Sequence, residues 1–177
     1  MRYSIGYLVA IWTVFLFHIT AFGIHPLQIS SLPLIFLAPL QHADLAHIMA
    51  NSIPGAVLAF LVRDKFWQVT MTGVIVGGLG VWLIGGVGTN HIGASGLIYT
   101  WLLYVLLRGF YNRSFWQIFL SVIIFFLYGS LLWGVLPSEP GVSWQGHLCG
   151  GIAGVISASR FRTNKKPRSS SREITYG

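Results

Sequence analysis

The 177-residue chain is poor in charge and in sulfur. Only 8% of its residues are charged, and Cys149 is its one cysteine. Ordinary soluble domains carry about a quarter of charged residues, so the composition excludes that class. A single cysteine excludes an internal disulfide, and we interpret Cys149 as a small apolar packing residue.

Acidic residues are especially few, which limits the function. The four of them are Asp44, Asp64, Glu139 and Glu173. All four lie at the ends of apolar segments or outside them. None is therefore expected at mid-membrane, where a carboxylate would relay a proton or bind a cation. This pattern argues against an ion-coupled transporter.

Long apolar runs take the place of charge. Hydrophobic residues make up 54% of the chain, which is typical of a polytopic membrane protein. Six windows are long and apolar enough to be transmembrane helices, at roughly 4–24, 42–62, 66–88, 93–110, 114–136 and 142–160. The sequence therefore predicts an all-α fold, with residues 1–160 as one six-helix membrane domain.

The basic residues test this count of spans. One precedes the first window, two lie between the second and third, two lie at the end of the fourth window and just after it, and six lie at the end of the sixth window and after it. The other three connections carry no lysine or arginine. By the positive-inside rule, both termini are cytoplasmic and these three connections face outward.

The net charge of +7 is concentrated after the last window. Residues 161–177 are polar, basic and rich in serine, and we predict a disordered cytoplasmic tail. Such a tail suits the anionic surface of the lipid bilayer, so no nucleic-acid partner is expected.

Small residues predict which helices pack closely. Glycine is dense in the third window, which is therefore expected to be central. In the sixth window Gly146, Gly150, Gly154 and Ala158 recur every four residues and form one smooth stripe. His147 lies only about 100° around the helix from this stripe. Packing explains the glycines but not the histidine.

Polar side chains from three windows converge at one depth. The second, fourth and sixth windows all enter from outside, and Ser95, His47 and His147 lie within roughly 10 Å of that surface. Asn51 shares a helix face with His47, and Tyr99 with Ser95. Polar groups in hydrocarbon are costly unless they meet each other, water or a ligand. The sequence thus predicts a shallow polar site.

Acyl transfer is the chemistry that such a site supports. A serine hydroxyl becomes a nucleophile when a base such as imidazole accepts its proton. The tetrahedral intermediate needs donors, which asparagine, histidine and free backbone N–H groups supply. Ser95 begins a helix, so its own N–H is free. Gly93 and Gly96 would let a substrate backbone approach.

Three segments of the chain resemble the motifs of the rhomboid family of intramembrane serine proteases. They are HADLAHIMAN with His42, His47 and Asn51, GASGLIY with Ser95 and Tyr99, and GHLCGGIAG with His147, Gly150 and Gly154. The resemblance covers the six-window body. It implies cleavage of single-span membrane proteins in a bacterial plasma membrane, without a cofactor or a metal.

The resemblance also implies roles for individual residues. Ser95 would be the nucleophile and His147 the general base, acting as a dyad without a carboxylate. His47 and Asn51 would donate to the oxyanion, together with the backbone N–H groups of Ala94 and Ser95.

The remaining motif residues are expected to support this site. His42 would be a structural polar residue, and Tyr99 would pack near His147. Asp44 is interpreted as a helix cap and not as a third catalytic member. The connection 25–41 is short and apolar, lacks the Trp-Arg pair of many members, and contains prolines that preclude a long regular helix.

Two other functions stay open at this point. A rhomboid-like protein that holds membrane clients without cutting them is the main alternative, although the presence of both Ser95 and His147 argues against it. A haem or quinone protein would use two facing histidines among His18, His47, His91 and His147.

Overall fold

The computed structural model describes residues 1–137 and 141–163. Its α-helices are α1 (Arg2–Leu16), α2 (Leu45–Leu61), α3 (Phe66–Thr72), α4 (Gly78–Ile84), α5 (Ser95–Tyr111), α6 (Phe115–Tyr128) and α7 (Trp144–Arg160). The only β pairing among the described residues is an isolated antiparallel bridge between Ile24 and His91. The all-α prediction is confirmed. The predicted tail, beyond residue 163, lies outside the described residues.

Helices α3 and α4 form one continuous rod. A π-helical turn over Gly73–Gly77 joins them, and the rod Arg63–Ile84 has 22 residues. Phe115–Val135, which is α6 extended by a 3-10 segment, has 21 residues. These two segments are long and apolar enough to cross a bilayer, whereas α1, α2, α5 and α7 have 15 or 17 residues. Helix length alone therefore identifies two spans and does not establish the predicted six.

The first helix is shorter than predicted. The window 4–24 is apolar throughout, yet α1 ends at Leu16. His18 adopts a left-handed φ of 52°, and the N–H of Ile19 donates to the carbonyl of Val14. This is a Schellman closure with histidine in the position that glycine usually takes. Hydropathy does not detect such an ending, because the chain stays apolar beyond it.

The connection 25–41 contains no long regular helix, as its prolines predict. Pro33 and Pro39 lie in two short 3-10 helices, Ile29–Phe36 and Ala38–Leu40. The buried Gln41 side chain accepts from the N–H of Phe22 at 2.8 Å and donates to its carbonyl at 2.7 Å. The paired amide therefore ties the two ends of the apolar loop together.

Helix α2 begins at the predicted cap. Asp44 has extended backbone angles, and its carboxylate accepts from the N–H of His47 at 2.8 Å. The interpretation of Asp44 as a cap is confirmed, because this bond satisfies an amide that the first turn leaves free.

Helices α5 and α7 approach at backbone distance along the predicted small-residue stripe. A Cβ on Gly150 would overlap the carbonyl oxygen of Gly96, and a Cβ on Gly154 would overlap that of Thr100. The Thr100 hydroxyl donates to the Gly150 carbonyl at 2.9 Å. The rod packs on the same seam through Gly77, which faces the Gly150 backbone. The expectation that the glycine-rich segment is central is confirmed.

Candidate active site

Ser95 is the first residue of α5 and follows a turn that only glycine makes easily. Gly93 has a φ of 113°, and its N–H donates to the Ala38 carbonyl at 3.0 Å. The His47 ring lies 2.6 Å from the position that a Cβ on Gly93 would take. Both the backbone angle and the ring require glycine here. The turn thus brings α5 to its start directly beside His47.

Ser95 and His147 meet across the α5–α7 seam. The Oγ of Ser95 lies 3.0 Å from Nε2 of His147, which is a hydrogen-bond distance. The other ring nitrogen, Nδ1, lies 2.8 Å from the carbonyl oxygen of Gly134. Because a carbonyl only accepts, Nδ1 carries the proton, and the Nε2 lone pair of the neutral ring faces the serine hydroxyl. The ring is oriented as a base toward Ser95.

Tyr99 holds the imidazole from its face. The two rings are stacked with centroids 4.2 Å apart and planes 6° apart. The Tyr99 hydroxyl donates to the carbonyl of Leu131 in the 3-10 segment Gly129–Val135. Gly134, whose carbonyl holds Nδ1 of His147, belongs to the same segment. The segment Gly129–Val135 thus holds both the His147 ring and the Tyr99 ring that is stacked on it.

Helix α2 brings two further polar side chains to the same space. His47 is partly exposed, and Asn51 is 5% exposed one turn further along. One N–H of the Asn51 amide donates to the His47 carbonyl at 3.1 Å, so the second N–H of that amide remains for another acceptor.

His42 occupies a position that changes one expectation. Its buried ring lies 4.9 Å from the His47 ring, and its Nε2 accepts from the N–H of Ala94 at 3.5 Å. The Ala94 N–H was expected to be free for an oxyanion, but here it is directed at His42. Ala94 follows the turn at Gly93 and is completely buried, as is the His42 ring that accepts from it.

These groups line one large cavity. It measures about 920 Å³ and opens at the end of the bundle where α2, α5 and α7 begin. Its lining includes His47, Asn51, Ser95, Tyr99 and His147. The structure thus brings together the residues that the sequence predicted on three helices. Asp44 is the acidic group in this lining, and its carboxylate is engaged in capping α2.

Glycines form the opposite side of Ser95. A smaller hollow of about 50 Å³ is lined by Gly93, Gly96 and Gly146, together with apolar residues of the rod and the first connection. Gly96 and Gly150 contact each other across the seam. Gly154 lies one turn deeper and holds the helices together without reaching the cavity.

A haem site finds little support in this arrangement. His147 uses both ring nitrogens, toward Ser95 and Gly134, so neither is left for iron. His18 lies in the turn after α1 with an exposed side chain. No group of three or more metal-ligating side chains occurs in the described part of the chain.

Two contacts that shape the site were not predicted from the sequence. The Gly134 carbonyl orients His147, but a backbone acceptor has no side-chain signature. Ser143 caps α7, where its hydroxyl accepts from the N–H of Gly146 at 3.1 Å, and it also contacts His91. A serine directly before the first residue of a glycine-rich helix is the signal that would have identified this cap.

Related sequences come from mycobacteria. The uncharacterized protein Rv1337 of Mycobacterium tuberculosis is 46% identical over 148 residues, covering 77% of this chain and 62% of that protein. The uncharacterized protein ML1171 of Mycobacterium leprae is 44% identical over 148 residues, covering 77% of this chain and 59% of that protein. The chain spans about three fifths of the length of these relatives.

A family model places the whole arrangement in context. The model of the Rhomboid domain matches residues 28–163, which include every residue of the cavity named above. Members of this family are integral membrane proteins with a helical bundle, and most are intramembrane serine proteases that act on membrane proteins within the bilayer. On this match, the chain belongs to the rhomboid family.

Proposed function

We propose that this protein is an intramembrane serine endopeptidase that cleaves membrane proteins near their outer ends. Ser95 is the nucleophile and His147 the general base. The observation that carries the proposal is the 3.0 Å contact between Ser95 Oγ and a His147 ring whose other nitrogen is engaged by the Gly134 carbonyl. That geometry is what an imidazole needs to accept a serine proton.

The first half of the reaction forms an acyl-enzyme. Ser95 Oγ attacks the scissile carbonyl carbon while its proton passes to Nε2 of His147. The carbonyl oxygen becomes an oxyanion. When the intermediate collapses, the peptide C–N bond breaks and His147 donates the proton to the leaving amine. Nδ1 keeps its proton throughout, because it donates a hydrogen bond to the Gly134 carbonyl.

Donors to the oxyanion come from two elements. The His47 ring and the free N–H of the Asn51 amide line the cavity beside Ser95. The backbone N–H of Ser95 belongs to the first turn of α5, where no carbonyl precedes it within the helix. The Ala94 N–H contributes only when His42 releases it. Preorganised donors of this kind stabilise the tetrahedral intermediate by several kcal/mol, with about 2.7–4 kcal/mol per donor.

The second half of the reaction needs water. In the acyl-enzyme, His147 takes a proton from a water molecule whose oxygen attacks the acyl carbon, and the same proton returns to Ser95 Oγ as the ester breaks. The large cavity supplies the access that this step needs, because it is open and reaches both side chains.

The membrane arrangement is part of the proposal. Six crossings with both termini in the cytoplasm follow from the distribution of lysine and arginine, and they bring the cavity to the outer face. Substrates are then single-span proteins of a bacterial plasma membrane. A helical peptide bond is shielded by its neighbours, so the cut site is expected at helix-breaking or small residues.

Mass-spectrometric mapping of a cleaved single-span substrate in liposomes tests the proposal. The wild-type protein is expected to give one defined cut, and the variants Ser95→Ala and His147→Ala none. Ser157→Ala is the matched control, because Ser157 is a buried α7 serine that bonds only within its own helix. Undiminished cutting by Ser95→Ala would contradict the assignment of the nucleophile.

A serine-reactive fluorophosphonate separates this function from client binding without cleavage. An endopeptidase is labelled at Ser95, and the label is lost in Ser95→Ala. A folded wild-type protein that retains a membrane client but neither reacts nor cuts would favour the binding function.

A further inference from the structure

A second serine–histidine contact lies beside the first. Nδ1 of His91 lies 2.6 Å from the Oγ of Ser143. The two partners are 52 positions apart, as are Ser95 and His147. His91 precedes Ser95 by four residues, and Ser143 precedes His147 by four. The His91–Ser143 contact therefore links the same two segments as the Ser95–His147 contact, four residues earlier in each segment. The histidine and the serine have exchanged segments.

The hydrogen bonds around His91 have a defined direction. The Thr89 hydroxyl donates to the Gly86 carbonyl at 2.5 Å, so its oxygen accepts from Nε2 of His91 at 2.7 Å. With the proton on Nε2, Nδ1 is an acceptor, and the Ser143 hydroxyl donates a hydrogen bond to it. The Ser143 oxygen in turn accepts from the N–H of Gly146. This series of hydrogen bonds, from Thr89 through His91 to Ser143, thus ends on a backbone group at each side. The groups are the Gly86 carbonyl and the Gly146 N–H.

Each end of this series is attached to one half of the candidate dyad. The backbone of His91 is paired with Ile24 through two hydrogen bonds of 3.0 Å, so the segment leading into Ser95 is held. Ser143 is the N-cap of α7, and its carbonyl accepts from the N–H of His147 at 3.1 Å. A movement of Ser143 is therefore passed directly to the backbone of His147.

We propose that His91 is a positioning residue, which fixes the Ser95–His147 distance by holding the cap of α7 against the segment that leads into α5. The catalytic consequence rests on the proposed function. In the proposed reaction His91 touches neither the scissile bond nor the oxyanion, and it acts through Ser143. A displacement of about 1 Å between reacting groups costs on the order of 100-fold in rate, so a lost bond here is felt in kcat.

Two substitutions of His91 separate positioning from simple support of the loop. Asn places an amide oxygen near the site of Nδ1 and keeps an acceptor for Ser143. Gln reaches toward the site of Nε2 and keeps a partner for Thr89, but loses Ser143. If His91 positions α7, His91→Asn retains activity and His91→Gln loses it. If His91 only stabilises its own loop, the two variants lose activity in the opposite order.

The experiment measures kcat and KM for cleavage of a quenched fluorescent single-span substrate in liposomes. We expect His91→Gln to lower kcat at least about tenfold with KM nearly unchanged, and His91→Asn to remain within about threefold of wild type. Ser143→Gly, which keeps an acceptable cap, is expected to match His91→Gln. The double variant His91→Gln/Ser143→Gly should fall no further, because both changes remove one contact. Thr89→Ala is the control that leaves the Ser143 contact in place.

A spectroscopic readout stands apart from cleavage. In protein labelled with ¹⁵N-histidine, the His147 ring signals are expected to shift in His91→Gln and to stay in place in His91→Asn. Unchanged His147 signals together with unchanged kcat in His91→Gln would overturn the positioning role. If wild type neither cuts nor reacts with a fluorophosphonate, the proposed function fails, and the His147 signals still decide whether His91 holds α7.

Discussion

Helices α6 and α7 contact the same neighbour, α5, in different ways. α7 presents glycines, so its backbone lies against the carbonyls of Gly96 and Thr100. α6 is rich in aromatic residues, and several of them are exposed, with Phe126 at 81%. It approaches α5 closely at Gly109, next to the short connection between them, and its Ser121 hydroxyl donates to the Val105 carbonyl at 2.8 Å.

The difference distinguishes the helix pair that sets the geometry of the site from a helix that exposes large side chains. Two backbones in direct contact have no side chain between them that can change rotamer, so their spacing is fixed. The α5–α7 pair, which carries Ser95 and His147, is built in this way. α6 meets its surroundings mainly through large side chains, which repack at little cost. A substitution is therefore expected to have very different effects on the two helices.

The largest effect is expected at Gly150. In Gly150→Val the added side chain overlaps the Gly96 carbonyl, so α5 and α7 must separate and the serine and imidazole lose contact. Fluorophosphonate labelling and substrate cutting should both fall at least about 100-fold. The matched change on α6, Phe126→Val, should leave both rates unchanged. A Gly150→Val protein with wild-type labelling would show that backbone contact does not set the site.

A smaller effect is expected at Tyr99, which joins the two regions. Tyr99→Leu removes the ring stacked on His147 and should lower kcat by about tenfold, because the imidazole gains freedom to rotate. Tyr99→Phe keeps the ring and loses only the bond to the Leu131 carbonyl, so its loss should be several-fold smaller. Equal losses in the two variants would assign the role to the hydroxyl. Single-turnover cleavage in detergent measures both.

Ser121 sharpens the comparison from the α6 side. Ser121→Ala removes a buried hydroxyl that donates to the carbonyls of Val105 and Gln117. A loss of about 1 kcal/mol in the free energy of unfolding is expected, or about 2–4 °C in the thermal midpoint. Cutting by the folded protein should not change. A fall in kcat at constant stability would mean that α6 also positions the dyad.

The smallest expected effect is on the pH dependence of stability. Burial lowers the pKa of His91, and the nearby His25 lowers it further. The unfolded chain therefore binds this proton first as the pH falls below about 6.5, and stability decreases through the pKa of the folded protein. The thermal midpoint of wild type should fall more between pH 7.5 and 5 than that of His91→Gln. Parallel curves would show that His91 does not contribute.

Much of the site could be read from spacing. Glycines every four residues predict the α7 seam, and the apolar context makes Ser95, His147, His47 and Asn51 conspicuous. Asp44 is readable as a cap because it stands just before an apolar helix.

Other features depend on backbone conformation, which residue type does not reveal. The left-handed turn at His18 ends α1 inside an apolar window. The Gly134 carbonyl orients His147 from a segment with no chemical motif. The engagement of the Ala94 N–H by His42 depends on a distance across the turn at Gly93. Each of these features rests on a backbone angle or a backbone hydrogen bond, and neither leaves a pattern of residue types in the sequence.

The wide turn over Gly73–Gly77 has a consequence for how this protein tolerates a change of length. A π turn holds one residue more than an α-helical turn, so it sets the rotation of α4 relative to α3. Deleting one residue there would let the segment close into regular α-helical turns with α4 in the same rotation. Straightening the turn without a deletion would instead rotate α4 by about 100°. Gly80 would then leave the Cys149 side chain that it now accommodates. The rod is therefore expected to tolerate the loss of one residue at this turn better than a loss elsewhere along its length, because the wide turn already absorbs one residue.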